Sequence, residues 1–424
     1  MIGCQVNAMK VAEGAEAGGG RRSKRDAVLD RAAAHLNARG VSLASLSEVA
    51  KALGLTRAAL YYYVEDRDDL VFQCYRRACE ATARDLDAAA RSPGSGLDRL
   101  KAFIDLALDE GRAEPAVLSE VASLPSPQRE TIEGLHRGNV AQLVDLIEAG
   151  QRDGSVRPCH PLIVAQAVVG MVSWIPLAPR WTGEPEADFR TKAKAGALAL
   201  IGEGIAADPD QAMAYAPLDI AILRPERGNL FDRDQAGAMK LEELLRAASR
   251  LFNQKGVAAT SVDEVAAEVG ATKGVVYHYL IDKPDLVARC YRRGFAMSDR
   301  ILRAVEMAGG SAVERALAGT ALLVEANVRD EFCPLAPLAG VEALPAEARE
   351  EIIARVHSLE HGYPDVAREG LADGSVRDVD LTGVALAMAG AFGWLHKWFT
   401  PEIATPETVV QEHVRLLAGG LRAR

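Results

Sequence analysis

The chain of 424 residues lacks any apolar run close to the roughly 20 residues that a membrane-spanning helix requires. Its N-terminal stretch, MIGCQVNAMKVAEGAEAGGGRRSKR, has no apolar signal core, so we expect a cytoplasmic protein that contacts no membrane. The period-two alternation of β-strands is also missing, whereas apolar residues recur every three or four positions in segments such as 86–108. The helical spacing of the apolar residues, together with the missing strand alternation, predicts an all-α fold.

The chain is also poor in the residue patterns that build chemical sites. Its six cysteines (4, 74, 79, 159, 290 and 333) include no CxxC pair, which favours reduced thiols over a disulfide framework or a zinc site. There is no glycine-rich phosphate loop and no Ser-His-Asp constellation. We therefore predict a protein that is not an enzyme and that uses neither a cofactor nor a metal.

The sequence contains an internal repeat. Residues 45–77 align without gaps with residues 261–293, and 16 of the 33 positions are identical. The pentapeptide DGSVR then occurs at both 153–157 and 373–377. A period of this length indicates two copies of one module of roughly 200 residues, because the repeats of solenoid proteins span only about 20–50 residues.

Each copy begins with the pattern of a helix-turn-helix unit. In the first copy Gly40 ends an apolar helix, and Ser45 with Glu48 forms a capping box at the start of a second helix. Gly54 ends that helix, and Thr56 can cap a short third helix. In this layout the helix after the turn is the one that enters the DNA major groove.

Matching residues surround this turn in the two copies: Gly54, Thr56, Arg57, Ala58, Tyr61, Tyr63, Arg67, Asp69 and Leu70 in the first, and Gly270, Thr272, Lys273, Gly274, Tyr277, Tyr279, Lys283, Asp285 and Leu286 in the second. In both copies these residues resemble the TetR family of transcriptional regulators. One departure is that Val64 and Leu280 occupy a position where the family usually has an aromatic residue, which weakens a packing contact.

The resemblance implies a DNA-binding repressor that a small-molecule effector releases from an imperfect palindromic operator. It also implies that each copy is a DNA-binding domain, here called head 1 or head 2, followed by a helical regulatory domain. An activator or an architectural DNA-binding protein without a ligand is the alternative. The predicted segments are an N-terminal arm (1–20), head 1 (21–80), a regulatory domain (81–205), a linker (206–238), head 2 (239–296) and a second regulatory domain (297–424).

The candidate DNA contacts lie on the second and third helices of each head. The hydroxyl groups of these helices, and the cation at the start of the helix that follows them, can contact DNA phosphates. Such contacts set the orientation of the protein on the duplex. The cation at the start of the third helix can reach guanine, and the small residues after it can meet thymine methyl groups. The predicted set is Ser45, Thr56, Arg57, Ala58, Ala59, Tyr61, Tyr62 and Arg67 in head 1, and Ser261, Thr272, Lys273, Gly274, Val275, Val276, Tyr277, His278 and Lys283 in head 2.

Three consecutive tyrosines, Tyr61, Tyr62 and Tyr63, follow the start of the third helix, which is predicted to end near Tyr63. Because successive residues of a helix point in different directions, at most one or two of them can belong to the core. We expect Tyr63 and its counterpart Tyr279 to be partly packed, and Tyr61 and Tyr62 to face DNA.

Charge is distributed unevenly along the chain. The formal net charge is -10, yet residues 21–78 carry 11 Lys/Arg against 7 Asp/Glu, and residues 240–294 carry 9 against 7. The heads are therefore positive and the remainder is acidic, as a DNA-binding footprint requires. A basic arm before head 1 can enter a minor groove, although a solvated charge run explains it equally well; it consists of Arg21, Arg22, Lys24 and Arg25.

Two heads in one chain predict an intramolecular pseudo-dimer. The last long helices of each copy, predicted near 160–180 and 191–206 and near 379–399 and 406–422, would form a four-helix interface. Because the third helices differ, RAALYY against KGVVYH, we expect an operator with half-sites that are not identical. Further homodimerisation of the chain is an open alternative.

Large apolar side chains in the regulatory domains are candidates for the wall of an effector pocket, although ordinary core packing explains them as well. The sequence does not identify the effector. The candidates are Met171, Trp174, Trp181, Met388, Trp394, His396 and Trp398.

The segment HSLEH at 357–361 matches a zinc-hydrolase pattern. His357 and His361 would lie one helical turn apart beside Glu360, but an enzyme would also need a third metal ligand. The first copy has no histidine at the matching positions. A zinc-dependent hydrolase is therefore the minor alternative to a DNA-binding regulator.

Overall fold

The structure is a computed structural model that describes residues 24–41, 45–182, 186–225, 231–337, 341, 344–360 and 362–424. Within these residues every regular element is a helix, apart from two isolated β-bridges. In the same residues no helix is both long and apolar enough to cross a membrane. The predicted all-α fold is confirmed.

The two copies share an order of helices, except that α16 and α17 of the second copy replace the single α6 and that α10 has no counterpart. The first copy contains α1 (Lys24–Arg39), α2 (Leu46–Ala52), α3 (Arg57–Leu60), α4 (Arg67–Ala90), α5 (Gly96–Ala107), α6 (Ser126–Arg152), α7 (Pro161–Trp174), α8 (Pro179–Thr182), α9 (Glu186–Glu203) and α10 (Pro209–Ala212). The second contains α11 (Arg233–Lys255), α12 (Val262–Glu268), α13 (Lys273–Tyr279), α14 (Lys283–Met307), α15 (Ala312–Val328), α16 (Ala346–Glu360), α17 (Gly362–Asp373), α18 (Leu381–Gly393), α19 (Leu395–Trp398) and α20 (Pro406–Gly419). Short 3₁₀ helices lie at Val121–Ser123 and Ile220–Leu223.

Head 1 has an apolar core because each of its helices turns one apolar face inward. Leu29 of α1, Val49 of α2 and Leu60 of α3 are buried in one cluster. Val64 and Leu280, which stand at the family's aromatic position, are buried as well. The aliphatic side chains at this position therefore still belong to the core.

The acidic residues before α4 and α14 cap these helices. The Asp66 carboxylate accepts a hydrogen bond from the backbone N–H of Asp69 over 2.8 Å, and Asp282 accepts from Asp285 over the same distance. Negative charge at a helix start is stabilised by the unpaired N–H groups there. The acids of this stretch therefore begin the helix that connects each head to its regulatory domain.

A buried asparagine attaches the first helix of each head to its regulatory domain. Asn37 donates to the Pro115 carbonyl oxygen over 2.8 Å and accepts from the Val117 N–H over 2.9 Å. Asn253 makes the equivalent two bonds in head 2, at 2.9 and 3.0 Å, to the segment after α15. Because a buried amide left without partners costs about 1–3 kcal/mol, these bonds restrain the orientation of each head.

The two copies contact each other where helices cross at glycine. A Cβ atom added to Gly196 of α9 would overlap the backbone of Gly383 in α18. One added to Gly170 of α7 would lie 2.6 Å from the carbonyl oxygen of Gly390, also in α18. α18 packs against both α7 and α9, and α20 packs against the same two helices. Backbones this close leave no room for a side chain at the crossing.

The repeated DGSVR segments form two matching clasps between the copies. Arg157 donates from Nε to the carbonyl oxygen of Gly420 over 2.8 Å, and Arg377 donates in the same way to Gly204 over 2.5 Å. An isolated β-bridge lies beside each arginine. Each copy therefore holds the segment that follows the last long helix of the other copy.

The same pentapeptide also caps a helix within its own copy. Asp153 accepts from the Gly96 N–H over 2.7 Å, and Ser155 Oγ accepts from the Leu97 N–H over 3.1 Å, at the start of α5. The second pentapeptide caps α15 through the equivalent two bonds. Aspartate and serine thus cap a helix, and arginine bonds to the other copy, in both occurrences of the segment.

Part of the predicted linker packs against the second copy. Residues 206–238 include α10 and a 3₁₀ helix, in which Leu223 is fully buried among side chains of α14 and α15. Arg300 of α14 donates to the carbonyl oxygens of Ile222 and Leu223 over 3.1 and 2.9 Å. This stretch of the linker is therefore attached to the regulatory domain that follows it.

Lys397 of α19 joins three parts of the molecule. Its Nζ donates to the carbonyl oxygen of Ser119 in the first copy over 2.8 Å and to that of Asn253 in head 2 over 2.9 Å. Burial lowers the pKa of this amine to about 8, and the Glu120 carboxylate partly opposes that shift. The matching residue of the first copy is Leu177, so the lysine contact has no counterpart there.

Gly196→Ala should lower the free energy of unfolding by about 1–3 kcal/mol, because the added methyl group forces α9 and α18 apart. Urea denaturation measures this change. Gly138 of α6 provides the control, since a Cβ atom there meets nothing within 4 Å. Gly138→Ala should instead raise the free energy of unfolding by about 0.5–1 kcal/mol. Equal effects from the two substitutions would contradict the close crossing.

The buried amine of Lys397 should make stability depend on alkaline pH. Its pKa in the folded chain is about 8, below the ordinary 10.5 of the unfolded chain. Between these values the unfolded chain binds more protons, so the free energy of unfolding rises with pH, by at most about 1.4 kcal/mol per pH unit. Lys397→Met removes this titration. Urea denaturation of both proteins from about pH 7.5 to about pH 9.5 tests the prediction, and a constant difference between them would contradict it.

Candidate nucleic-acid interface

The second helix of each head begins with the predicted capping box. Ser45 Oγ accepts from the Glu48 N–H over 3.1 Å, and the Glu48 carboxylate accepts from the Ser45 N–H over 3.4 Å. Ser261 and Glu264 make the same two bonds in head 2, at 3.1 and 2.8 Å. The serine oxygens accept in these bonds, so each hydroxyl keeps its own hydrogen to donate, and both serines are exposed.

A glycine turn leads into the third helix of each head. Gly54 and Gly270 have φ angles of +67° and +64°, a left-handed conformation that side chains disfavour. Thr56 Oγ1 then caps α3 by accepting from the Ala59 N–H over 3.1 Å, as predicted. Thr272 begins α13 without a side-chain cap, and its side chain is exposed.

The three tyrosines of head 1 are divided as the sequence predicted. Tyr62 is 87% exposed and Tyr61 is 44% exposed, whereas Tyr63 is half-buried. α3 ends at Leu60, earlier than predicted, so the tyrosines lie in the turn that follows it. Ala58, at the second position of α3, is exposed as well. The contact of these residues with DNA stays a prediction.

Head 2 presents a similar outward face, with one correction. Gly274, Val275, Tyr277 and His278 are exposed, and Tyr277 matches Tyr61 at 43% exposure. Val276 is only 1% exposed because it packs in the core of the head. The prediction that Val276 meets a thymine methyl group is therefore wrong.

The cations that begin the third helices have different partners. Arg57 donates from Nε and Nη2 to the Tyr61 hydroxyl over 3.3 and 2.9 Å, with its guanidinium 5.5 Å from the ring centroid. Lys273 donates to the Asp263 carboxylate over 2.9 Å, and this bond raises the pKa of Lys273. One cation is thus held by an aromatic ring and the other by an acid.

The cations that begin the connecting helices hold the turn after the first helix. Arg67 donates to the Val41 carbonyl oxygen over 2.7 Å, and Lys283 donates to that of Ala258 over 3.3 Å. Burial lowers the pKa of Lys283. Both side chains are half-buried, and their predicted contact with phosphates stays a prediction.

The predicted basic arm is described only in part. Arg21 and Arg22 lie outside the described residues. Lys24 and Arg25 are exposed in the first turn of α1, where Arg25 donates to the Gln73 side-chain oxygen over 2.7 Å. Arg25 is thereby attached to α4 of the same head.

Most of the predicted effector-pocket side chains lie in the core shared by the two copies. The ring of Trp181, for example, contacts Tyr291 of the second copy with 5.9 Å between centroids. A Cβ atom added to Gly390 would lie 2.7 Å from the Cβ atom of Trp174. The core side chains are Met171, Trp174, Trp181, Met388, Trp394 and Trp398.

His396 instead lines a cavity of about 520 Å³ between head 2 and the second regulatory domain. Arg250 and Gln254 line it from α11, Cys333 from the segment after α15, and Thr400 from the segment after α19. Both ring nitrogens of His396 are buried without a hydrogen-bond partner. Burial holds the pKa of His396 well below its usual value, so the ring is neutral at pH 7.

The described residues contain no group of three His, Cys, Asp or Glu side chains that could hold a metal ion. His357 lies on α16, whereas His361 and the side chain of Glu360 lie outside the described part of the chain. The described cysteines, at 74, 79, 159, 290 and 333, are free thiols. The hydrolase alternative gains no support.

Two structural features lie outside the set of predicted site residues. Asp263 pairs with Lys273 at the start of the third helix of head 2. In the sequence, the one indication of this pair is that the first copy has Ser47 at the same position. The DGSVR segments tie the copies together, and their signal is an identical recurrence at 373–377. In both cases the signal is a comparison of the two copies rather than a motif.

Three curated relatives align with parts of the chain. It is 36% identical over 58 residues to the transposon Tn10 TetC protein of Escherichia coli, which is 14% of this chain and 29% of that protein. It is 40% identical over 50 residues to the HTH-type transcriptional regulator AcrR of Shigella flexneri, 12% and 23% of the two chains. The aligned segment is less than a third of each of these relatives. A third match, to the HTH-type transcriptional repressor KstR2 of Mycolicibacterium smegmatis, is 24% identical over 206 residues, 45% of this chain and 94% of that protein.

Two solved structures are similar to about two fifths of the chain. One is AibR in complex with isovaleryl coenzyme A and operator DNA, with a TM-score of 0.35, 21% identity, and coverage of 42% of this chain and 97% of that chain. The other is the ketosteroid transcriptional regulator KstR2 of Mycobacterium tuberculosis, with a TM-score of 0.35, 20% identity, and coverage of 43% and 97%.

Two family models each match the chain twice. The model of bacterial regulatory proteins, tetR family, matches residues 28–74 and 244–290, which lie in the two heads. The model of the tetracyclin repressor-like C-terminal domain matches residues 94–181 and 315–421, which lie in the two regulatory domains. Together these matches cover more than half of the sequence. The chain therefore belongs to the TetR family and contains two tandem copies of its module.

Proposed function

We propose that this chain is a transcriptional repressor that binds duplex DNA with both heads and is released by a small-molecule effector. The observation that carries the proposal is a matching set of exposed residues in the third helix of each head and in the turn after α3. Each third helix begins with an exposed cation, and two exposed aromatic residues follow it, Tyr61 and Tyr62 in head 1 and Tyr277 and His278 in head 2. As a DNA-binding regulator, the protein would act in the cytoplasm.

The charge distribution supports this proposal. The heads carry an excess of lysine and arginine, although the whole chain has a formal net charge of -10. Cations that neutralise phosphates release counterions and supply much of the affinity for DNA. The acidic remainder repels the duplex, so binding through the two positive heads is favoured over other orientations.

We further propose that the chain is an intramolecular pseudo-dimer in which each copy replaces one subunit of a homodimer. The reciprocal bonds of Arg157 and Arg377 to the other copy support this arrangement, as does the glycine crossing at Gly196 and Gly383. The two heads would then read the two halves of an inverted repeat. Because their outward residues differ, the half-sites should differ too.

The cavity beside His396 is the proposed effector site. It is bounded by α11 of head 2 and by two segments of the second regulatory domain, so an occupant would contact both domains. The neutral imidazole has an unused donor and an unused acceptor. Gln254 and Thr400 add polar groups to the wall. We therefore propose a small polar molecule that hydrogen-bonds to the ring of His396.

Selection of the full-length protein against a pool of random duplexes should enrich an imperfect inverted repeat. The two half-site centres should lie about one helical turn apart, roughly 34–36 Å, because two heads on one face of the duplex require that spacing. Tyr61→Ala and Tyr277→Ala should each lower the affinity for the selected duplex about tenfold, through lost contacts of one half-site. Footprinting and fluorescence anisotropy at two salt concentrations measure the site and the affinity.

Met307→Ala is the control for these substitutions, because Met307 is an exposed apolar residue outside both third helices. This variant should bind like the wild type. Failure to enrich any sequence, together with weak binding at every salt concentration, would refute the proposed function. Identical half-sites would leave that function intact and refute the prediction of different half-sites.

Thr400→Trp should abolish the response to an effector while DNA binding is retained. Thr400 lines the cavity from an exposed segment, so a tryptophan there can fill a large part of it. A thermal-shift screen of small polar molecules identifies binders of the wild type, and the variant should lose their shift. Glu402→Trp, which lies two residues away and outside the cavity wall, should keep the shift. A binder that still shifts Thr400→Trp would place the effector elsewhere.

A further inference from the structure

The two heads differ in one charge beside the third helix. The first turn of α2 contains Ser47, and the matching position of α12 contains Asp263; both side chains are exposed. The glutamate that follows is present in both heads and pairs in both with a cation at the end of the first helix. Asp263 is therefore an additional acid that only head 2 carries at this position.

Asp263 holds the cation of the third helix in head 2. Its Oδ2 atom accepts from Lys273 Nζ over 2.9 Å, and this bond raises the pKa of Lys273, so the amine stays charged. In head 1 the equivalent Arg57 donates to the Tyr61 hydroxyl instead. Among the described residues no carboxylate forms an ion pair with Arg57, so its positive charge is not neutralised by an acid.

This difference changes what each head gains from DNA. Arg57 can turn from a neutral hydroxyl toward a phosphate or a guanine without separating opposite charges. Lys273 must leave Asp263, whose carboxylate then faces phosphates of the same sign. An exposed ion pair is weak enough for DNA to break, but the like-charge repulsion persists on every sequence. The cost is therefore the same at matched and unmatched half-sites.

We propose that Asp263 makes head 2 the weaker of the two DNA-binding heads. It lowers the affinity of that head for DNA of any sequence, because matched and unmatched half-sites face the same carboxylate. Head 1 has Ser47 at this position and lacks that penalty. This inference rests on the proposed DNA-binding function.

The test exchanges the two residues between the heads of the full-length chain. Asp263→Ser gives head 2 the residue of head 1, and Ser47→Asp makes the reverse change. Dissociation constants are measured by fluorescence anisotropy on a random-sequence duplex and on the selected duplex, over a series of salt concentrations. Melting curves followed by circular dichroism verify that both variants are folded.

Asp263→Ser should bind the random duplex about three- to tenfold more tightly than the wild type, because Lys273 becomes available to a phosphate. The plot of log affinity against log salt should steepen by about 0.9 for that one contact. The affinity for the selected duplex should rise by a similar factor, because Lys273 no longer has to leave an ion pair. Ser47→Asp should weaken binding to the random duplex by a similar factor.

Asp210→Ser controls for the change in net charge. Asp210 occupies the same second position of the short helix α10, is exposed, and belongs to neither head. Tighter random binding by Asp263→Ser but not by Asp210→Ser supports the inference. Equal effects of the two substitutions, or an unchanged affinity of Asp263→Ser for both duplexes, overturn it while DNA binding by the wild type still stands. A wild type that binds neither duplex refutes the proposed function and this inference together.

Discussion

The crossing of α9 and α18 at Gly196 and Gly383 is the constraint on which the arrangement of the two copies depends. Side chains usually separate packed helices and can adjust when a neighbour changes, but here the backbones themselves are in contact. The second crossing, of Gly170 with Gly390, involves the same helix α18. Two such contacts on one helix restrain both its position and its rotation. The tryptophans and methionines of both copies then fill the space around the crossing.

A small number of polar contacts also connect the heads to the interface between the copies. Arg157 and Arg377 hold the ends of the last long helices, and Asn37 and Asn253 hold the first helix of each head. These bonds are buried or half-buried, so each replaces contacts that water would otherwise make and is costly to leave unmade. Hydrogen bonds therefore contribute both to the position of the heads and to the contact between the copies, in addition to apolar packing.

The features that depend on local spacing could be predicted from the sequence. The capping box of Ser45, the cap of Thr56 and the outward direction of Tyr62 follow from positions a few residues apart. The core position of Val276 could not be predicted, because a short helix does not reveal which of two neighbouring valines faces inward. The location of Trp174 could not be predicted either, because an apolar residue at helical spacing is equally compatible with a pocket wall and with a contact between the copies. The cavity beside His396 is formed by segments far apart in sequence, so nothing in the local pattern marks it.

The structure combines a symmetric scaffold with contacts that occur only once, and the duplication makes that combination possible. In a homodimer every residue appears on both sides, so a lysine such as Lys397 would enter both halves together. Within one chain the first copy keeps Leu177 where the second has Lys397, and Ser47 where the second has Asp263. The crossing of Gly170 with Gly390 pairs two matching positions, and an added side chain at either one would overlap the other helix. At the other crossing Gly383 matches Ile163 of the first copy, so the copies have diverged there as well. Divergence between the copies therefore includes a helix crossing, the exposed faces of the heads and the junction between head 2 and its regulatory domain.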